Sequence, residues 1–92
     1  MKYITVSIGN TDNRLTQQEW SDFVIEMYAI SQKFGKVHFF GGSPNWERWQ
    51  NAAWIVEPET KTINVFLSAI SELRMKWKQE SAFVMIADGM FI

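Results

Sequence analysis

Cysteine is missing from this 92-residue chain, histidine occurs once and proline twice. Without cysteine there is no disulfide staple, no thiol nucleophile and no Cys-ligated zinc, and bridges cannot report the redox compartment. Neither sign of charge dominates. Nine Lys and Arg stand against ten Asp and Glu, a net charge of −1, which argues against a basic surface built for phosphates. Long apolar runs are also lacking: the uncharged stretches Ile63 to Ser71 and Ser81 to Ala87 fall far short of the roughly 18 residues needed to span a bilayer. The opening residues Met1-Lys2-Tyr3-Ile4-Thr5 meet polar groups too early for the apolar centre of a secretory signal. These absences lead to the expectation of a soluble cytoplasmic protein with no membrane partner.

What the chain has in quantity is apolar side chain, 47% of residues, with five Trp and seven Phe. A chain of this length buries roughly 60 to 65% of its unfolded surface. The expectation is therefore one domain, residues 1–92, folding alone around one core. Between Lys2 and Gly9 the residues Ile4, Val6 and Ile8 alternate with Tyr3, Thr5 and Ser7, the period-two signature of a strand with one buried face. The turn-formers Gly9 to Asn13 follow. Thr16-Gln17-Gln18-Glu19 reads as a capping box, and Trp20, Phe23, Val24, Met27, Ile30, Ser31 and Phe34 keep the 3.6-residue period of a helix. Lys33 suits its negative end, and Gly35 is expected to take the left-handed position that closes it.

Lys36 to Phe40 reads as a second strand, stopped by Gly41-Gly42-Ser43-Pro44. Asn51 to Glu57 reads as a third, closed by Pro58, and the two form a hairpin with a long tip. From about Thr60 to Gln79 the positions Ile63, Phe66, Leu67, Ile70, Leu73 and Trp77 mark a second amphipathic helix, with Arg74, Lys76 and Lys78 near its end. Ser81 to Ala87 is a charge-free fourth strand, and Met90-Phe91-Ile92 folds back or continues along an edge. The order β-α-β-β-α-β defines an α+β, ferredoxin-like architecture: a four-stranded antiparallel sheet with two helices on one face. Right-handed crossovers place strands one and three in the middle. Strand four is apolar on both sides and lies at an edge, so it calls for coverage, by Met90-Phe91-Ile92 or by a second copy of the chain.

Function is then a question about surfaces. At the hairpin tip Trp46, Arg48 and Trp49 are the residue types enriched at binding hot spots; against this, Trp46 and Trp49 also have the spacing to fold inward and plug the core. On the sheet face away from the helices, Tyr3 is joined by His38 and Phe40, or by Trp54, depending on register, with Phe83 and Met85 from strand four. Aromatics on such a sheet stack bases in RNA-recognition domains. Strand three, however, has no basic, doubly aromatic stretch, so nucleic acid is not expected as a partner. His38 has no cysteine to pair with, and no nucleophile-elbow motif surrounds Ser7 or Ser43. Glu19, Asp22 and Glu26 share one stripe of the first helix, a spacing open to a hard cation but more simply a solvated face. Gly41-Gly42-Ser43 lacks the P-loop ending, and Gly9-Asn10 lacks spaced glycines. Acylphosphatases of this topology carry an Arg directly after strand one, whereas Arg14 sits four residues past Asn10. No catalytic set, metal site or cofactor is expected.

The segments Ile4 to Asn10, Leu15 to Trp20 and Trp49 to Trp54 together resemble a group of small single-domain proteins encoded in bacterial genomes and phages. The resemblance covers about a third of the chain and implies a mobile-element setting, in which short acidic proteins act by docking onto a host or phage protein, anti-defence inhibitors among them. The leading expectation is a non-enzymatic protein-binding module with Trp46, Arg48 and Trp49 at its interface. The alternative is a dimeric α+β barrel, two sheets closing face to face over a small apolar molecule, with Tyr3 and His38 as its polar groups. The barrel requires a homodimer and tolerates alanine at both tip tryptophans; the docking module does not.

Overall fold

The computed structural model describes residues 1–44 and 49–92. Its elements are β1 (Lys2–Gly9), α1 (Gln17–Phe34), β2 (Gly35–Gly42), β3 (Asn51–Pro58), α2 (Ile63–Lys76) and β4 (Phe83–Asp88), with short 3-10 turns at Thr11–Asn13 and Thr60–Thr62. All three strand pairings are antiparallel and the sheet order is β2-β3-β1-β4. The architecture is thus the ferredoxin-like α+β arrangement, with β1 and β3 central and β3 inserted between β1 and β2.

The alternation in β1 translates directly into burial. Ile4, Val6 and Ile8 are buried, as are Ala52, Trp54 and Val56 opposite them on β3. Phe23 and Met27 from α1 and Phe66 and Ile70 from α2 close the core from the helical side. The start of α1 is fixed by the capping box: Thr16 Oγ1 accepts from the Glu19 N–H at 3.2 Å, and the Glu19 carboxylate accepts from the Thr16 N–H at 2.9 Å. The bond from the Thr16 N–H, helped by the Thr16 hydroxyl, holds the Glu19 carboxyl below its ordinary range.

The other end of α1 departs from expectation. Gly35 is fully extended, at φ −176° and ψ −171°, and is already the first residue of β2. Glycine is needed there for space rather than for a left-handed turn. A Cβ at this position would lie 2.3 Å from the Glu57 carbonyl oxygen and 2.8 Å from Pro58 Cα. The helix therefore passes into the sheet with no intervening loop, because Gly35 lets β2 approach β3 at once.

A group of neutral amides ties one end of the sheet. The buried Asn10 side chain accepts from the Leu15 N–H at 2.9 Å and donates to the Leu15 carbonyl and to Gln50 Oε1, both at 3.0 Å. Gln79, also buried, accepts from the Thr11 N–H at 2.9 Å. Segments far apart in sequence are thereby joined without charge.

The helices are clamped through Glu26, a residue read from the sequence as part of a solvated stripe. Its carboxylate accepts from the Lys76 ammonium at 2.7 Å and from the Trp77 indole N–H at 2.9 Å. The Lys76 hydrogen bond, helped by that of Trp77 and by the Lys76 charge and opposed by partial burial, holds the Glu26 carboxyl below its ordinary value of 4.5. A folded-state pKa below the unfolded one gives stability that is complete above the unfolded value and disappears as pH falls through the folded one. Glu26→Gln is accordingly expected to cost about 1 kcal/mol near neutral pH. Urea unfolding of both proteins should show that difference shrinking once the pH drops below about 4.

Candidate functional site: the open sheet face

Both helices lie on one side of the sheet, and the other side presents two register rows. The first is Phe39, Ile55, Thr5 and Met85; the second is Gly41, Ala53, Ser7 and Phe83. Phe39, Phe83 and Met85 are 53%, 61% and 50% exposed, and Ile55 is 36% exposed. Neither row contains a charged residue. The Phe39 ring lies over Gly41, where a Cβ would come within 2.8 Å of it, so the aromatic covers a backbone that no side chain shields.

The ionisable groups of this face gather at one end. His38 Nε2 is 2.9 Å from a Glu57 carboxylate oxygen, which accepts a hydrogen bond from the ring N–H. The Tyr3 ring meets His38 edge-on with centroids 5.5 Å apart. Lys36 pairs in register with Glu57. The Tyr3 hydroxyl oxygen is buried and has no hydrogen-bond partner among the described residues. Burial, and secondarily the negative charge of Glu57, push its pKa above the usual phenol value of 10.0, so Tyr3 remains a neutral donor through the physiological range.

The C-terminal residues cover this end alone. The Gly89 N–H donates to the Met1 carbonyl at 2.9 Å, the Tyr3 ring packs on Gly89, and the Phe91 ring lies 6.4 Å from Tyr3 and 5.8 Å from His38 between centroids. Phe91 itself stays 74% exposed. The rows containing Phe39, Ile55, Met85 and Phe83 remain open.

The sequence-derived site residues divide as follows. Tyr3, His38, Phe83 and Met85 share the open face. Trp54 does not: it is fully buried on the helical side, where Phe40 pairs with it at 5.1 Å and Tyr28 of α1 meets both rings. Phe40 is thus corrected to the helical side as well. The cause is a bulge in β2, where Val37 pairs with Val56 but Phe39 pairs with Ile55. His38 is the extra residue, and the strand changes phase across it. Trp49 at the hairpin tip is 63% exposed and does not plug the core; Trp46 and Arg48 lie outside the described residues. Phe39, Ile55 and Glu57 belong to the open face although sequence reasoning did not single them out. For Ile55 and Glu57 the signal was present, since Ala52, Trp54 and Val56 occupy the buried phase of β3.

Chemically, the face offers a histidine oriented by a carboxylate, beside a phenol, at the margin of an apolar surface. These groups sit on the open sheet, with Tyr3, Glu57 and Phe91 around His38. The grooves found elsewhere include one of about 290 Å³ between α2 and β4, lined by Leu67, Ile70, Arg74 and Val84 among others. The described residues contain no group of three or more acidic or histidine side chains placed to hold a metal ion, and no helix among them is long and apolar enough to cross a membrane.

No family model and no curated protein matches the chain. Among solved structures it is similar to the de novo designed protein Foldit4, with a TM-score of 0.55 at 11% identity over 97% of this chain and 96% of that one. At that identity the likeness establishes the fold alone.

Proposed function

We propose that the chain is a non-enzymatic protein-binding module of the cytoplasm whose docking surface is the open face of its sheet. The observation that carries this reading is the row Phe39, Ile55, Thr5 and Met85, continuous across all four strands and uncharged, in which Phe39, Ile55 and Met85 are exposed apolar side chains around a half-buried Thr5. Surfaces of this kind mark sites of association, because water is a poor solvent for large contiguous apolar area. The tip residues Trp46, Arg48 and Trp49 form a second docking candidate, supported by the exposure of Trp49. A mobile-element setting, with a host or phage protein as target, rests on the sequence resemblance.

A second reading is a sheet-face dimer that encloses a small apolar molecule. It is favoured by one specific feature, the buried Tyr3 hydroxyl beside His38 and Glu57, which would supply the polar contact in such a site.

The test is quantitative binding to whatever protein the wild-type chain retains, compared among wild-type, Met85→Lys and Trp49→Ala baits of equal thermal stability. Retention should fall at least tenfold for Met85→Lys, about 1.4 kcal/mol. A loss confined to Trp49→Ala would move the interface to the tip, and retention unchanged by both would overturn the reading.

A further inference from the structure

We infer that the occupant of the open sheet face is a second copy of this chain, forming a two-fold, sheet-on-sheet homodimer. This inference rests on the docking reading above and names its partner. The first argument is area. Phe39, Ile55, Phe83, Met85 and Phe91 are between 36% and 74% exposed. At about 200 Å² for a fully exposed side chain of this size they present roughly 550 Å² of apolar surface. A standard stable interface buries about 800 Å² per partner, of which some 450 to 520 Å² is apolar. The four side chains of the rows supply about 400 Å² of this, and Phe91, lying over the Tyr3 and His38 rings at the end of the face, brings the total to that apolar share before Thr5, Ser7, Ala53 and Ala87 contribute.

The second argument is charge. In a two-fold interface a patch meets itself: residue i of one copy contacts residue j of the other and j contacts i, so every group the patch needs as a complement must already lie within it. The two rows from Phe39 to Met85 and from Gly41 to Phe83 are uncharged, and such a patch meets itself without repulsion. The ionisable groups Lys36, His38 and Glu57 lie beyond the rows at one end, where His38 and Glu57 already pair within the chain. A strongly charged protein partner would find no complementary group in the rows; another copy supplies the neutral apolar surface they require. Sheets that pack face to face do so about 10 Å apart with their inner side chains interdigitated, and a sheet with helices on only one side has that face free.

Sedimentation equilibrium of the purified full chain tests this directly. The expected mass is twice the 10.8 kDa of the chain. Met85→Lys, on an edge strand, and Ile55→Lys, in the centre, each bury a lysine of either copy in an uncharged patch with no carboxylate to pair with it and should weaken the dimer at least a hundredfold. Ile25→Lys, at a 62% exposed position on α1, controls for general stickiness and should leave the dimer intact. Far-UV circular dichroism checks that each variant folds; if Ile55→Lys does not, Met85→Lys carries the test. A dimer that survives the face substitutions overturns the inference. So does a wild-type chain that is monomeric at about 100 µM. In that case the wider docking reading still stands or falls by its own retention assay, whose result does not depend on self-association.

Discussion

Trp54→Ala should cost about 4 kcal/mol of folding stability, read as the shift in the urea midpoint at constant slope. Trp54 is fully buried between Phe40 on β2 and Tyr28 on α1, and its removal opens a cavity where the sheet meets the first helix. Against the roughly 5 to 15 kcal/mol that stabilises a small domain, the loss is large enough to populate the unfolded state. Trp54→Phe should cost less than half as much. The indole N–H is buried with no hydrogen-bond partner among the described residues, and deleting an unpaired donor recovers part of its desolvation cost, about 1 to 3 kcal/mol. If Phe proves as damaging as Ala, the shape of the indole rather than its volume governs the site and the unpaired N–H carries no penalty.

Gly35→Ala should be the most damaging single-methyl change, at about 3 kcal/mol. The added carbon meets the Glu57 carbonyl and Pro58 Cα, both backbone and neither able to rotate away. Relief requires β2 to move from β3 at its first register pair, Gly35 with Pro58. The same substitution at a left-handed helix terminus would cost less, about 1 kcal/mol, so the magnitude distinguishes steric exclusion from backbone conformation. Differential scanning calorimetry gives the comparison, with Ala at the looser Gly9, whose added carbon would lie 3.5 Å from its nearest neighbour, as reference.

Most of the architecture was readable because its signals are local. The β1 alternation, the Thr16 to Glu19 capping box and the periodicity of both helices each depend on residues within a turn or two of one another. Misplacements arose where the deciding partner is distant. Gly35 looked like a helix terminator because the backbone of Glu57 that excludes a Cβ comes from another strand. Phe40 and Trp54 were placed on the open face as alternatives because the bulge at His38 shifts β2 against β3, and only the pairing reveals it. Glu26 looked solvated because its partners lie 50 and 51 residues further on. For the face itself, Tyr3, Phe83 and Met85 were found by strand alternation, while Phe39 had no local marker.

The amide-tied end of the sheet and the clamp between the helices answer differently to solution conditions. Asn10, Gln50 and Gln79 carry no proton to gain and no charge to screen, so their contacts are indifferent to mild acid and to added salt. The clamp at Glu26 is sensitive to both. Acid and salt therefore reach the contact between the two helices through Glu26, whereas the amide contacts where β1 leaves the sheet give them nothing to act on.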